Sequence, residues 1–538
     1  MTPTIRSFNG FYRILSLITA LLCLNGCGYV SLDSPLKTKA DTSSRFANIV
    51  ESSDQGSYNM GQWWTRINDP FLNQAVETLL NENLSLIEGS ERVIQAREAV
   101  NMSRGSFLPT LGANASASRS FQNSGAASAG LGGAGFGGQR TYFNNYDANV
   151  SSAWEIDVFG RLRSTLNASK TTYQSAEYDR EALAHSLIST LVNLRVEIAV
   201  YKNLLDLAQQ QANNREQLYE IVQRRYNLGT EGATLSDVYL AENNFKSASS
   251  DINEYNRLLQ DALYRLDILL GQTPGTTSLD DDRFSMILPP MDVAVCVPAK
   301  LLDRRPDLKA SALRVRAAQA NINVAVANLY PSLNLSGNLG FTGTQTSNLF
   351  SSQQLAGSIL GSITSSLFEG GRLRANIRMQ ESEARELAAS YADDVLTAMK
   401  DVESQLYAEA QLKQELTHLS EAADALRNAE DSAEERYIRG IETLQNFLDI
   451  QQNRYLTQQT LLVAQQTKWS TRVALYLALG GDWLSKPARA SEDCASQPQN
   501  LRSNDQGEAP APKAAPLTNE QEQTTQPIYI DIIEDIRL

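Results

Sequence analysis

Histidine is almost missing from this chain: His185 and His418 are the only two in 538 residues, each inside a helical pattern. Cysteine is scarce as well, at Cys23, Cys27, Cys296 and Cys494. No His/Cys spacing of a metal site appears, and neither a phosphate-binding loop nor a nucleophile elbow occurs. Nothing therefore marks an enzyme, a cofactor site or a resident metal. One run, Gly130, Gly132 and Gly135, mimics a dinucleotide fingerprint. It opens no helix and lies in low-complexity Gly/Ala/Ser sequence, so it reads as an exposed loop. The short acid run Asp280, Asp281 and Asp282 reads as a solvated turn. Basic clusters are absent too. Lys and Arg number 47 against 61 Asp and Glu, a net charge of −14, which argues against nucleic acid as a partner. Beyond the N-terminus no uninterrupted apolar run is long enough for a membrane helix. A membrane crossing by this chain then requires strands in a closed barrel.

What is present begins with a targeting signal. Arg6 and Arg13 precede a short apolar run at residues 14–24, which ends in Leu24, Asn25, Gly26 and Cys27. This resembles a bacterial lipobox, which predicts cleavage before Cys27 and lipidation of its thiol. Gly28 follows where an Asp favours retention at the inner membrane, so the expected destination is the outer membrane.

The organising stretch is residues 183–269. Leu183, Leu187, Leu191, Leu194, Ile198, Tyr201 and Leu205 recur at steps of four and three. After a turn near Gly229 the pattern resumes with Val238, Ala241, Phe245, Ala248, Ile252, Tyr255, Leu259, Ala262, Leu266 and Leu269. Such a seam makes two helices pack side by side over many turns. The outgoing helix, from about Arg161 to Leu228, would be roughly 100 Å long at 1.5 Å per residue. The second half repeats the first. Arg92, Pro109 and Leu111 correspond to Arg314, Pro331 and Leu333. Arg225, Tyr226 and Gly229 correspond to Arg436, Tyr437 and Gly440, and Gly271 to Gly480. Each half is then one structural unit.

Each unit also holds two stretches of period two. Leu111, Ala113, Ala115 and Ala117 alternate with small polar residues, and Tyr146, Ala148, Val150, Trp154, Ile156 and Val158 alternate with polar and acidic ones. In the second unit the apolar sets are Leu333, Leu335, Leu339 and Phe341, then Leu355, Ile359, Ile363 and Leu367. One apolar and one polar face is the strand signature of a barrel with lipid outside and water inside. Four strands cannot close a barrel, which needs about eight, so the open edges call for further copies of the chain. The expected organisation is a signal peptide at 1–26, a lipidated tether at 27–60 and a first repeat at 61–275. That repeat holds strands at about 108–120 and 145–158 and a hairpin at about 161–270. A linker follows at 276–300, then a second repeat at 301–484 with strands at about 331–342 and 354–368 and a hairpin at about 372–480. A Pro-rich tail at 485–538 has the composition of a disordered segment.

At Arg304, Arg305, Pro306 and Asp307 the sequence resembles a known family. Together with the lipobox, Trp63 and Trp64, Asp69 and Pro70, Trp154 to Arg161, Tyr330 to Leu333, Phe368 to Arg374, and Leu448 and Asp449, these residues resemble the TolC-like outer membrane factors. The branch they resemble is the lipoproteins that serve RND-type efflux pumps. The resemblance covers about residues 14–485. It implies a mixed α/β membrane protein: a trimeric twelve-stranded outer-membrane β-barrel continued by a periplasmic α-helical coiled-coil barrel. The implied function is a passive exit duct for drugs or other small toxic solutes. Implied partners are a periplasmic adaptor, or membrane fusion protein, an inner-membrane RND-type transporter and outer-membrane lipid. The alternative within the fold is the duct of a type I protein-secretion or metal-efflux system, and outside it a lipid-anchored coiled-coil scaffold.

The resemblance also implies site residues. Adaptor docking falls at the hairpin tips, Leu228, Gly229 and Thr230 with Arg439, Gly440 and Ile441. The periplasmic gate falls at Asp449, Tyr437 and Gln445, with three copies of Asp449 converging on one axis. Gln445 departs from the apolar residue some relatives have, and Gln452 stands where a basic residue is usual. Cys296 and Cys494 form a candidate disulfide, with two free thiols as the alternative.

Overall fold

The structure is a computed structural model that describes residues 61–123, 140–230, 234–278, 284–286, 304–480 and 483. All of them belong to one compact unit, Ser43–Leu517. A 3₁₀ turn at Trp63–Ile67 leads into α1 (Pro70–Glu82) and α2 (Leu84–Gly105). Strands β1 (Thr110–Asn123) and β2 (Arg140–Ile156) follow, then α3 (Arg161–Asn227) and α4 (Leu235–Leu269). The second copy runs α5 (Pro306–Ala327), β3 (Ser332–Gly343), β4 (Leu355–Thr364), α6 (Arg372–Ile438) and α7 (Leu444–Leu479). The duplication is visible in the lengths. α2 and α5 have 22 residues each, α3 and α6 have 67 each, and α4 and α7 have 35 and 36.

The seam read from sequence lies inside the first hairpin, and every one of its residues on α3 and α4 is buried or half-buried. It is only part of what α3 buries. Ile188, Val192, Val196, Val200 and Leu204 are buried as well, because α2, α4, α5 and α7 all pack along this one helix. Over 18 residues α3 does reach the hydropathy of a membrane helix, which its scattered polar residues conceal. Since 67% of that window is buried inside the protein, it is a core helix.

The four strands form one antiparallel sheet in the order β1-β2-β3-β4. Its register sorts the two faces. Ala113, Val150, Leu339 and Gly357 are aligned across the sheet, as are Ala115, Ala148, Phe341 and Leu355. One step away, Asn114, Asn149 and Gly340 align on the opposite face, with Ala356 beside them. Most apolar residues of the four strands thus share one face and most Ser and Asn residues the other, with Leu360 and Phe143 on the polar face and Ser152 and Asn144 on the apolar one. The first hairpin differs from the sequence expectation. Its pairing continues to Asn123 and Arg140, through positions that alternation leaves as loop. Aromatic residues sustain it, with Phe121 facing Tyr142 in register.

The sequence motifs prove to be joints. Asp69 caps α1, accepting from the Phe71 and Leu72 amides, and Pro70 occupies the first helical turn. Its second oxygen accepts from Arg195 Nε at 2.8 Å, an ion pair that is 1% exposed on the arginine side. Trp63 packs 4.6 Å from the Tyr476 ring and 5.5 Å from Trp483, tying the N-terminal turn to both hairpins. Where β2 turns into α3, Glu155 takes both Arg161 nitrogens at 2.9 and 2.6 Å. Asp157 accepts from the first amides of α3 at Leu162 and Arg163. Arg305 bridges Asp307 at 2.6 Å and donates to the Ala478 carbonyl at 3.4 Å, closing the second repeat on itself. The two repeats meet where Phe159, between β2 and α3, stacks on Tyr330, between α5 and β3, at 5.0 Å.

Candidate functional site

Both hairpin tips are built the same way. Gly229 and Gly440 adopt left-handed φ values of 65° and 72°, where a Cβ would be strained. Their amides return to Tyr226 and Tyr437, and the next amides, Thr230 and Ile441, return to Arg225 and Arg436. This six-to-one and five-to-two pattern is the Schellman termination. The return helices then start on threonine caps, Thr234 with a reciprocal capping box to Asp237, and Thr443 accepting from the Asn446 amide. The turn geometry leaves Leu228 77% and Ile441 72% exposed. Arg439 pairs with Glu435 beside them, and Arg436 reaches Glu442 across the second tip at 2.6 Å.

Behind the tips the two hairpins join through an apolar cluster. Leu218, Val222, Val238 and Ala241 of the first pack with Ala433, Leu444, Phe447 and Leu448 of the second. Tyr437 lies at its edge, stacked on Phe447 at 5.5 Å, with the Arg225 guanidinium 5.7 Å from its ring centre. Burial pushes the Tyr437 phenol up, and the charge and hydrogen bond of Arg225 pull it partly back. Asp449 is exposed and accepts from Gln445 Nε2 at 3.0 Å, one helical turn away. The structure therefore brings Gln445 and Asp449 together, while Tyr437 engages the first hairpin instead.

Sequence reasoning missed a ladder of polar contacts that runs between the hairpins above this point. Arg215 of α3 is 4% exposed. It donates to Gln452 of α7 at 2.5 Å and to the Asn244 side chain of α4 at 3.0 Å. Its burial holds the guanidinium below its ordinary pKa. A buried guanidinium of the first hairpin thus lies against Gln452 of the second. Higher up, Tyr455 donates to Asp251 at 3.4 Å, and Gln459 donates to the Tyr255 hydroxyl at 2.7 Å. Burial raises both the Asp251 carboxyl and the Tyr455 phenol. The one available signal was Tyr255 on the apolar seam, a hydroxyl that burial obliges to find a partner. Cys27, Cys296 and Cys494 lie outside the described residues.

The profile of a family described as outer membrane efflux protein matches residues 75–272 and 297–481. The chain is 27% identical over 492 residues to a probable efflux pump outer membrane protein, TtgC, of Pseudomonas putida, covering 90% of this chain and 98% of that one. It is 26% identical over 428 residues to a probable outer membrane lipoprotein, SilC, of Salmonella typhimurium, covering 80% and 89%. Among solved structures it resembles the outer-membrane channel OprN, with TM-score 0.70 and 27% identity, covering 82% of this chain and 98% of that chain.

Proposed function

The chain belongs to the outer membrane efflux protein family, and on that footing we propose that it is a passive, gated exit duct assembled from three copies. It is the outer-membrane component of an efflux pump, with a large periplasmic part formed by the two hairpins. One observation carries the duct reading: the register that gives the sheet an apolar face and a Ser/Asn face along all four strands. An apolar face suits lipid and the small polar face suits a water-filled lumen. The outer edge of β1 in one copy is satisfied by the outer edge of β4 in the next, which closes the ring of three. The duct has no energy source of its own. A periplasmic adaptor docks on the exposed Leu228 and Ile441 at the tips, around Gly229, Thr230, Arg439 and Gly440, and an inner-membrane RND-type transporter drives export. Its substrates are drugs or other small toxic solutes. Cys27 carries the lipid anchor, and a Cys27→Ala variant should lose labelling with radioactive palmitate.

The gate lies at the periplasmic end of the second hairpin. Three exposed Asp449 carboxylates near one axis focus a negative potential that selects cations and narrows the resting pore. Gln445 orients each carboxylate, and the Tyr437–Arg225 contact holds the second hairpin against the first. Planar-bilayer recording tests both duct and gate. The wild-type protein should show a small cation-selective conductance, and Asp449→Ala should enlarge it and weaken the selectivity. A wild-type protein that never conducts would sink the duct. An Asp449→Ala channel identical to wild type would move the gate elsewhere.

A further inference from the structure

The outer end of the sheet carries a charge pattern that the duct reading leaves unexplained. Between residues 110 and 146 the only charged side chains are Arg119 and Arg140, and residues 332–368 contain none. In a chain of net charge −14, the part farthest from the helices is thus purely cationic. Register places both arginines on one face. Ala117 pairs with Tyr146, Arg119 with Asn144, Phe121 with Tyr142 and Asn123 with Arg140, in unbroken continuation of the apolar face. The opposite face at that level holds Ser118, Ser120, Gln122, Thr141 and Asn145, with Phe143. Both charges therefore project toward the membrane side of the barrel wall and away from its lumen.

Their height follows from the same register. The apolar face runs along β2 from Ile156 to Tyr146, about 33 Å of strand and, at the usual tilt, about 25 Å of membrane. β3 pairs no further than Tyr146, so Arg119, Phe121, Arg140 and Tyr142 stand on a two-stranded extension beginning one step above the lipid band. That is headgroup level in the outer leaflet. The four side chains interleave. The Arg119 guanidinium lies 4.6 Å from the Tyr142 ring centre and that of Arg140 lies 5.6 Å from Phe121, while the two rings are 6.2 Å apart. Stacking occupies a guanidinium's face and leaves its edge N–H groups available for bidentate contact with a phosphate. The aromatic rings suit the interface between chains and headgroups.

From this arrangement we infer that the Arg119/Arg140 pair docks the phosphate groups of an outer-leaflet glycolipid, whose acyl chains lie down the apolar face below. The inference rests on the sheet spanning the outer membrane with its hairpin loops outward, and it adds a lipid site to that reading. Its work is to fix the height of the barrel in an asymmetric bilayer.

The test uses the full-length protein in detergent, with binding of bisphosphorylated lipid A read by native mass spectrometry. Wild type should bind it, and dephosphorylated lipid A should bind on the order of tenfold more weakly or worse, as should the wild-type lipid to an Arg119→Gln/Arg140→Gln variant. Arg119→Lys/Arg140→Lys should fall between. Excess inorganic phosphate should leave most of the lipid bound. Equal binding of the two lipids by wild type, or equal binding by wild type and the Gln pair, would overturn the site. Complete displacement by inorganic phosphate would reduce it to a small-anion site and overturn it too. Bilayer conductance of the Gln pair should match wild type; a wild-type protein that never conducts speaks against the duct and leaves the two-lipid comparison on wild type to decide the site.

Discussion

Replacing Gln452 tests how the resting duct is held shut. In the structure Gln452 is the α7 residue that accepts from the buried Arg215 of α3, at 2.5 Å, so this contact spans the two hairpins. If the proposed duct opens at its periplasmic end by moving α7 away from α3 and α4, this bond is lost or lengthened on the way. Gln452→Leu keeps the volume and removes the acceptor. A hydrogen bond to a charged group contributes about 1.5–3 kcal/mol net, which the closed state forfeits in each copy. The open-to-closed ratio should then rise by roughly tenfold to a hundredfold for each copy that must open. Gln452→Glu should do the reverse, because a carboxylate beside the buried guanidinium strengthens the closed contact. Single-channel recording separates the two: Leu raises the open fraction, and Glu lowers it below wild type. Two variants that both match wild type would show that the contact does not take part in gating. Opening by Glu as strong as by Leu would show that local packing, rather than the hydrogen bond, is what matters there.

At the joints, Asp69→Ala should destabilise the assembled protein by about 3–5 kcal/mol, since it removes the carboxylate from a guanidinium that is 1% exposed. Asp69→Asn retains the helix cap and should be less costly by about 1 kcal/mol, measured by denaturant unfolding; equal cost for both would remove the cap from the account. Acid should weaken the corners. Burial alone would raise the Asp157 carboxyl, but hydrogen bonds from the Arg163 and Leu162 amides and the Arg163 side chain outweigh it and depress it. Asp307 is depressed in the same way by Arg305. A depressed carboxylate stabilises the fold above its unfolded value and loses that contribution as pH falls through the folded one. Thermal stability should therefore hold from neutrality to about pH 5 and decline below about pH 4. Asp157→Asn combined with Asp307→Asn should flatten that decline, and an undiminished decline would place the acid sensitivity in other groups.

The sequence made the periodic features legible, and the limits of that reading follow from what periodicity can encode. A step of three and four residues reports the face that a helix buries against its neighbour in the same hairpin, and the seam on α3 and α4 was of that kind. It cannot report a second buried face, so Val196 and Val200, which pack with Trp469 of α7, were not distinguished from the first stripe. Alternation likewise fixed the faces of the strands, but it faded at Arg119 and Arg140, where charge interrupts the apolar set although pairing continues. The family motifs were recognisable as strings. Their physical role as caps and ion pairs at joints became clear only when Asp69 met Arg195, 126 residues away. The contacts between hairpins were the least legible, for a related reason. Arg215 and Gln452 are separated by 237 residues, and each lies on a helix as an ordinary polar side chain. Only the fold shows that one is buried opposite the other. Asp449 has the opposite character, since its partner Gln445 is one turn away and its exposure is what a solvated helix residue would have. What would distinguish Asp449 from any other exposed acid in the proposed trimer is its distance from two symmetry mates, a relation that is carried neither by the local sequence nor by a single chain. The gate role proposed for it therefore rests on assembly, and the bilayer measurement on Asp449→Ala reads that assembly directly.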